Sequence, residues 1–89
     1  MRKYRCYHDI IESILRAISK GESKITRICL KARIPMDRCK RILNILELYG
    51  LIMKYSVGVT TYYVILDRGY EWLGTYEHLK TLLPIRKHR

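Results

Sequence analysis

Between Tyr49 and Leu51 the hydrophobic pattern of the chain changes period, and Gly50 sits at the change. No other feature constrains the fold as much. Before it, in RIPMDRCKRILNILELYG, the residues Met36, Cys39, Ile42, Leu43, Leu46 and Tyr49 share one broad arc at about 100° per residue. That is the pattern of an amphipathic helix from about Pro35 to Tyr49, stopped by Gly50. Asp37, Lys40, Arg41, Asn44 and Glu47 take the opposite arc, with Arg38 and Ile45 on its flanks. After Gly50 the period falls to about two. Leu51–Tyr55 and Thr60–Leu66 are rich in β-branched and aromatic residues, and Ser56-Val57-Gly58-Val59 forms a short turn between them. The two runs read as a hairpin.

Upstream, Ile10, Ile11, Ile14, Leu15 and Ile18 make one stripe of a helix from about Tyr7 to Lys20, with Gly21 suited to end it. Ser23 is the expected N-cap of a short helix over Lys24–Ala32, with Ile25, Ile28 and Cys29 turned inward. Arg33-Ile34-Pro35 then breaks the chain, because Pro disfavours helical geometry before it and fits the first turn after it. Two helices meeting across so tight a turn form a helix-turn-helix. After the hairpin, Asp67 is the expected cap of a last helix over Arg68–Leu82, stopped by Pro84. Trp72, Leu73, Tyr76, Leu79 and Leu83 form its stripe. The predicted fold is α+β and mostly α, in the order α-α-α-β-β-α, with a short C-terminal helix.

Eighty-nine residues make one domain, 1–89, with flexible basic ends expected at about 1–6 and 85–89. Apolar residues, 48% of the chain and spread along it, argue against a disordered basic tail. No apolar run approaches the ~18 residues of a membrane span, and the N-terminus lacks a signal peptide's apolar stretch. A cytoplasmic, nucleoid-associated location is therefore expected, without membrane insertion. A net charge of +10 favours an anionic partner, nucleic acid first and anionic membrane second. The charge is concentrated: Lys20 to Arg41 holds eight basic residues against Glu22 and Asp37.

Cys6, Cys29 and Cys39 form no CxxC pair, and His8, His78 and His88 stand at no ligand spacing to them, so no metal site is expected. Buried thiols are the ordinary reading. Gln is absent and Asn44 is the one Asn, a depletion of thermolabile amides that points to a thermophile. Intracellular disulfides occur there, which leaves room for a Cys29–Cys39 bridge between neighbouring helices. No nucleophile lies in a recognisable motif and no Gly-rich loop could cradle phosphate, so neither catalysis, a cofactor nor a small-molecule ligand is expected.

The run RILNILELYGLI, followed by a hairpin and then by YVILDRGYEWL, is similar to the winged-helix transcription regulators of bacteria and archaea. IIESILRAI, KITRI, the Pro-started helix and the C-terminal helix resemble the small archaeal winged-helix regulators and ten-kilodalton chromatin-type proteins. The resemblance spans about residues 8 to 83. It implies binding to double-stranded DNA, often as a homodimer with paired C-terminal helices. Pro84 stops the last helix after about four turns, ~22 Å. The long antiparallel coiled coil of the chromatin-type proteins is therefore not expected. A compact dimer contact through Trp72, Tyr76, Leu79 and Leu83, joined by the first helix, takes its place.

Within that frame, the third helix is the candidate to enter the major groove. Its base-reading candidates are Asp37, Arg38, Lys40, Arg41 and Asn44. Arg41 or Lys40 would reach guanine O6 and N7, and Asn44 adenine N6 and N7. Asp37 has three readings: acceptance from a cytosine amino group, pairing with Arg41 at i+4, or favourable placement at the helix N-terminus. The phosphate candidates are Lys24, Arg27, Lys31 and Arg33 around the second helix and Lys54, Ser56 and Thr60 on the wing. The wing tip carries no Lys or Arg, which argues against deep minor-groove insertion and leaves protein contact open. Eight tyrosines raise single-strand stacking as a possibility, but core and interface positions are their ordinary use. The reading that competes with DNA binding is a winged-helix protein–protein adaptor, which would not need the charge on the second and third helices.

Overall fold

The computed structural model describes residues 6–82; Leu83, the Pro84 stop and most of the two basic ends lie outside them. Six elements follow in the expected order. They are helices α1 (Tyr7–Ser19), α2 (Ile25–Ala32) and α3 (Met36–Leu48), strands β1 (Ile52–Val57) and β2 (Thr60–Ile65), and helix α4 (Asp67–Leu82).

One core joins all of them. Ile10, Ile14, Leu15 and Ile18 of α1, Ile28 of α2 and Cys39, Ile42, Leu43 and Leu46 of α3 pack together, closed by Ile52, Tyr63 and Leu73. Burying an aliphatic side chain of this size contributes roughly 1.5–3 kcal/mol. The periodic stripes of α1 and α3 are thus core faces. The stripe of α3 is narrower than expected: Met36, the first residue of the helix, is 38% exposed and Tyr49, just past its end, is 62% exposed.

The helix stops follow one hydrogen-bond scheme. After α3, Gly50 takes φ 80, its N–H donates to Glu47 O at 3.0 Å, and Leu51 N–H donates to Leu46 O at 2.9 Å. A Cβ would be strained at that φ, which is why a glycine marks the passage into the wing. After α1 the same pair of bonds is made by Gly21 and Glu22. After α2 it is made by Arg33, which has φ 61, with Arg33 N–H to Leu30 O and Ile34 N–H to Cys29 O. Arg33 is the one non-glycine residue at positive φ among the described residues.

In the hairpin Ile52 faces Ile65, Lys54 faces Tyr63, Tyr55 faces Tyr62 and Val57 faces Thr60. Ser56 and Val57 belong to β1, so the turn is only Gly58-Val59, with Gly58 at φ 64 in the manner of a type II′ turn. Alternation buries Tyr63 and leaves Tyr62 on the other face, where it stacks on Tyr55 with ring centroids 5.5 Å apart.

Two caps differ from expectation. Lys24, not Ser23, is the N-cap of α2, and no side chain caps it. The Ser23 backbone is committed elsewhere: its carbonyl accepts Tyr63 N–H at 2.8 Å, tying the loop before α2 to the wing. Leu66 rather than Asp67 precedes α4; its carbonyl accepts from Gly69 and Tyr70, while its N–H donates to Leu51 O at 2.9 Å. Asp67 is the first helical residue, where its charge suits the helix N-terminus.

Helix α4 packs on α1 through Leu73 and Tyr76. Tyr76 Oη donates to Asp9 Oδ1 at 2.8 Å, and burial, then this bond, pushes its phenol above the ordinary range. Around it Arg16 Nη2 reaches Glu12 at 2.7 Å and Glu77 at 2.5 Å, and Lys80 Nζ reaches Glu12 at 3.0 Å. Burial pushes the Glu12 carboxyl up, but Arg16 and Lys80 together outweigh it and hold it below its usual 4.5.

Cys29 of α2 and Cys39 of α3 are disulfide-bonded, with Cα atoms 5.8 Å apart. The ordinary reading of buried thiols fails at both, and the bridge between neighbouring helices is the arrangement present. Cys6 is free and exposed, so it is not a buried thiol either.

Candidate nucleic-acid interface

Helices α2 and α3 meet at the Arg33–Pro35 turn and are joined a second time by the Cys29–Cys39 bridge. With Cys39, Ile42, Leu43 and Leu46 turned into the core, the 3.6-residue repeat forces Asp37, Lys40, Arg41 and Asn44 outward. All four are exposed, as is Arg38 on the flank. Among the described residues none of Asp37, Arg38, Lys40 and Arg41 makes an ion pair. The Asp37–Arg41 pair is therefore not formed, and Asp37 stands in the first turn of α3, where the helix dipole favours a carboxylate.

The phosphate candidates divide into two groups. Lys24 at the start of α2 and Arg33 at its end are exposed and make no ion pair among the described residues. Arg27, Lys31 and Lys54 are engaged: Glu22 lies 3.4 Å from Arg27 Nε and 4.0 Å from Lys31 Nζ, and Glu47 lies 3.8 Å from Lys54 Nζ. Ser56 is exposed with its hydroxyl 3.5 Å from that of Thr61, and Thr60 is half-buried. The tip is apolar, with Val57 60% exposed and Val59 fully so.

Sequence periodicity missed the part played by Glu22. It precedes the helix, so its partners stand at i+5 and i+9 and no i,i+4 signal announces them. Two exposed apolar residues of α3, Ile45 at 41% and Leu48 at 77%, extend the outward face toward the C-terminal end of the helix.

The charge is segregated. Five of the eight acidic residues, Asp9, Glu12, Asp67, Glu71 and Glu77, belong to α1 and α4 rather than to the basic helix-turn-helix. The dimer candidates fare unevenly on α4. Tyr76 is only 6% exposed and hydrogen-bonded to α1 of its own chain, which removes it from the contact surface. Trp72 is half-buried beside His8 and Tyr76, whereas Leu79 is 47% exposed.

Among the described residues no group of three or more His, Cys, Asp or Glu is arranged to hold a metal, and no helix is long and apolar enough to cross a membrane.

Comparison with solved structures finds the same fold in DNA-binding proteins of archaea and bacteria. Sso10a-2, a DNA-binding protein from Sulfolobus solfataricus, superposes with a TM-score of 0.78 at 22% identity, covering 88% of this chain and 81% of that one. The MarR family transcriptional regulator SPO1453 from Silicibacter pomeroyi gives 0.62 at 16% identity, over 83% of this chain and 57% of its own. Lactococcus lactis ZitR in complex with DNA gives 0.62 at 16% identity, over 92% and 65%. This chain therefore spans less than two thirds of the length of the latter two. No curated protein matches it. The winged helix-turn-helix family, a family of DNA-binding domains rather than enzymes, matches residues 4–83. The chain belongs to the winged helix-turn-helix family.

Proposed function

We propose that the protein binds duplex DNA through α2, α3 and the wing, as a transcription regulator or small chromatin-associated protein of the nucleoid. The observation that carries this reading is the state of α3: Arg38, Lys40 and Arg41 project from it without an ion pair among the described residues, beside a second basic helix. Unpaired cations grouped on one face favour a polyanion, and a helix fits a major groove about 12 Å wide. Sso10a-2 is described as DNA-binding and ZitR is seen in complex with DNA, which supports the same use of the fold here.

In this reading Arg41, Lys40 and Asn44 read base edges, with Arg38 and Asp37 beside them. Lys24, Arg27, Lys31 and Arg33 hold phosphates, and Lys54, Ser56 and Thr60 add backbone contacts from the wing. Two copies associate through α4, where Leu79 and Leu82 are exposed at 47% and 67% and Trp72 is half-buried. A homodimer would double the phosphate contacts and match a two-fold operator.

Selection of bound sequences from a random duplex pool, repeated with Arg41→Ala and Lys24→Ala, tests the assignment. The expected result is a consensus that Arg41→Ala relaxes and a uniform weakening with Lys24→Ala. Equal behaviour of all three proteins would favour the protein–protein adaptor reading, for which the uncharged wing face of Met53, Tyr55 and Val57, 45–60% exposed, is the supporting feature.

A further inference from the structure

The loop between α1 and α2 holds a single carboxylate, and it lies between two cations of the basic helix. Glu22 Oε1 accepts from Arg27 Nε at 3.4 Å, and Glu22 Oε2 lies 4.0 Å from Lys31 Nζ. Arg27 and Lys31 stand one turn apart on α2, so one oxyanion spans both, each through its own oxygen. The Glu22 side chain is 23% exposed while both cations are 56% exposed.

The backbone carrying this carboxylate is held on both sides. Glu22 N–H donates to Ala17 O at 3.1 Å in the stop of α1, and the carbonyl of the next residue, Ser23, accepts Tyr63 N–H from the wing at 2.8 Å. The Glu22 backbone is therefore held in place beside α2. A phosphate arriving at Arg27 and Lys31 must either separate both cations from the Glu22 carboxylate or settle beside its negative charge, and each path opposes binding.

We propose that Glu22 is an internal competitor for DNA phosphate, occupying in the free protein the two cations that a phosphate takes in the complex. The proposal rests on the reading of α2 as a phosphate clamp. Carboxylate and phosphate are both oxyanions that accept from guanidinium and ammonium groups, so the exchange is between like ligands. Its cost falls on the sequence-independent part of the interaction, because the base-facing residues of α3 are not involved. Glu22 therefore lowers affinity for specific and non-specific duplex alike and leaves the ratio between them unchanged.

The test compares Glu22→Gln, which removes the charge and keeps the shape, with Glu71→Gln. Glu71 is an exposed residue of α4 with no ion pair among the described residues, so the change in net charge is the same. Binding to a random-sequence duplex is measured for the full chain across a salt series, with a melting curve for each variant and Glu22→Ala as a second substitution. Glu22→Gln is expected to bind roughly three- to tenfold more tightly at low salt. Its log affinity should fall with log salt more steeply by about one. Glu71→Gln should stay within about twofold of wild type. The inference is overturned if folded Glu22→Gln and Glu22→Ala bind no more tightly than Glu71→Gln while wild type binds duplex. If wild type itself fails to bind duplex at low salt, the DNA reading falls and this inference falls with it.

Discussion

Cys29 and Cys39 are bonded to each other across the gap between α2 and α3, their Cα atoms 5.8 Å apart. The closed loop contains Lys31, Arg33 and Arg38 together with the turn of the helix-turn-helix. The bridge thus fixes the angle between the helix proposed to hold phosphates and the helix proposed to read bases. A loop of this length removes about 3 kcal/mol of chain entropy from the unfolded state, a large share of a small domain's stability. Reduction, or Cys29→Ala with Cys39→Ala, should lower stability by roughly that amount in denaturant melts. An unchanged midpoint under reductant would show that the bridge contributes nothing.

Arg33 occupies a left-handed position that glycine fills at the other helix stops. A side chain there costs about 1 kcal/mol. Arg33→Gly should therefore melt at the same or a higher temperature, yet bind duplex more weakly, with the salt slope reduced by about one. Arg33→Lys keeps both charge and strain and should behave as wild type in each assay. Loss of stability in Arg33→Gly would mean that the side chain packs rather than projects.

Two glycines of α4 should respond oppositely to alanine. At Gly69 a Cβ would stand 2.5 Å from the Leu51 carbonyl oxygen and 2.6 Å from Ile65, so the helix would be pushed off the strand. Gly69→Ala is expected to cost about 1–3 kcal/mol. At Gly74 a Cβ meets nothing within 4 Å, and Gly74→Ala should add up to about 1 kcal/mol through helix propensity. Thermal melts of the two variants give the comparison directly.

The α1–α4 contact should set limits at both ends of the pH range. Glu12 titrates below its ordinary 4.5, so its contribution is complete above that value and is lost as pH falls through the lower folded value. Tyr76 titrates above its ordinary 10.0, so its contribution is complete below that value and is lost as pH rises through the higher folded value. Tyr76→Phe should abolish the alkaline limb and cost about 1 kcal/mol at neutral pH through the lost bond to Asp9. Glu12→Gln should flatten the acid limb. A stability profile unaltered by either substitution would show that α4 is held by its apolar contacts alone.

Much of this fold was legible because its signals are local. The change of period at Gly50, the stripes of Ile14 and Leu43 and the break at Pro35 each follow from neighbouring residues, and they yield the element order and the outward face of α3. What escaped depended on contacts distant in sequence. Ser23 carries the chemistry of a cap, but Tyr63 from the wing takes its carbonyl. Tyr76 lies on a stripe suited to a partner, but Asp9 claims its hydroxyl within the chain. Arg33 hid a left-handed stop because no glycine marks it. Glu22 hid its pairing because it lies outside the helix it serves.

The central claim is that the face of α2 and α3 neutralises DNA phosphates. Duplex affinity measured by fluorescence anisotropy from 50 to 200 mM salt tests it most directly. With about six to ten phosphates neutralised, affinity should fall by ~10³–10⁵ over that range. A nearly flat response would contradict the account.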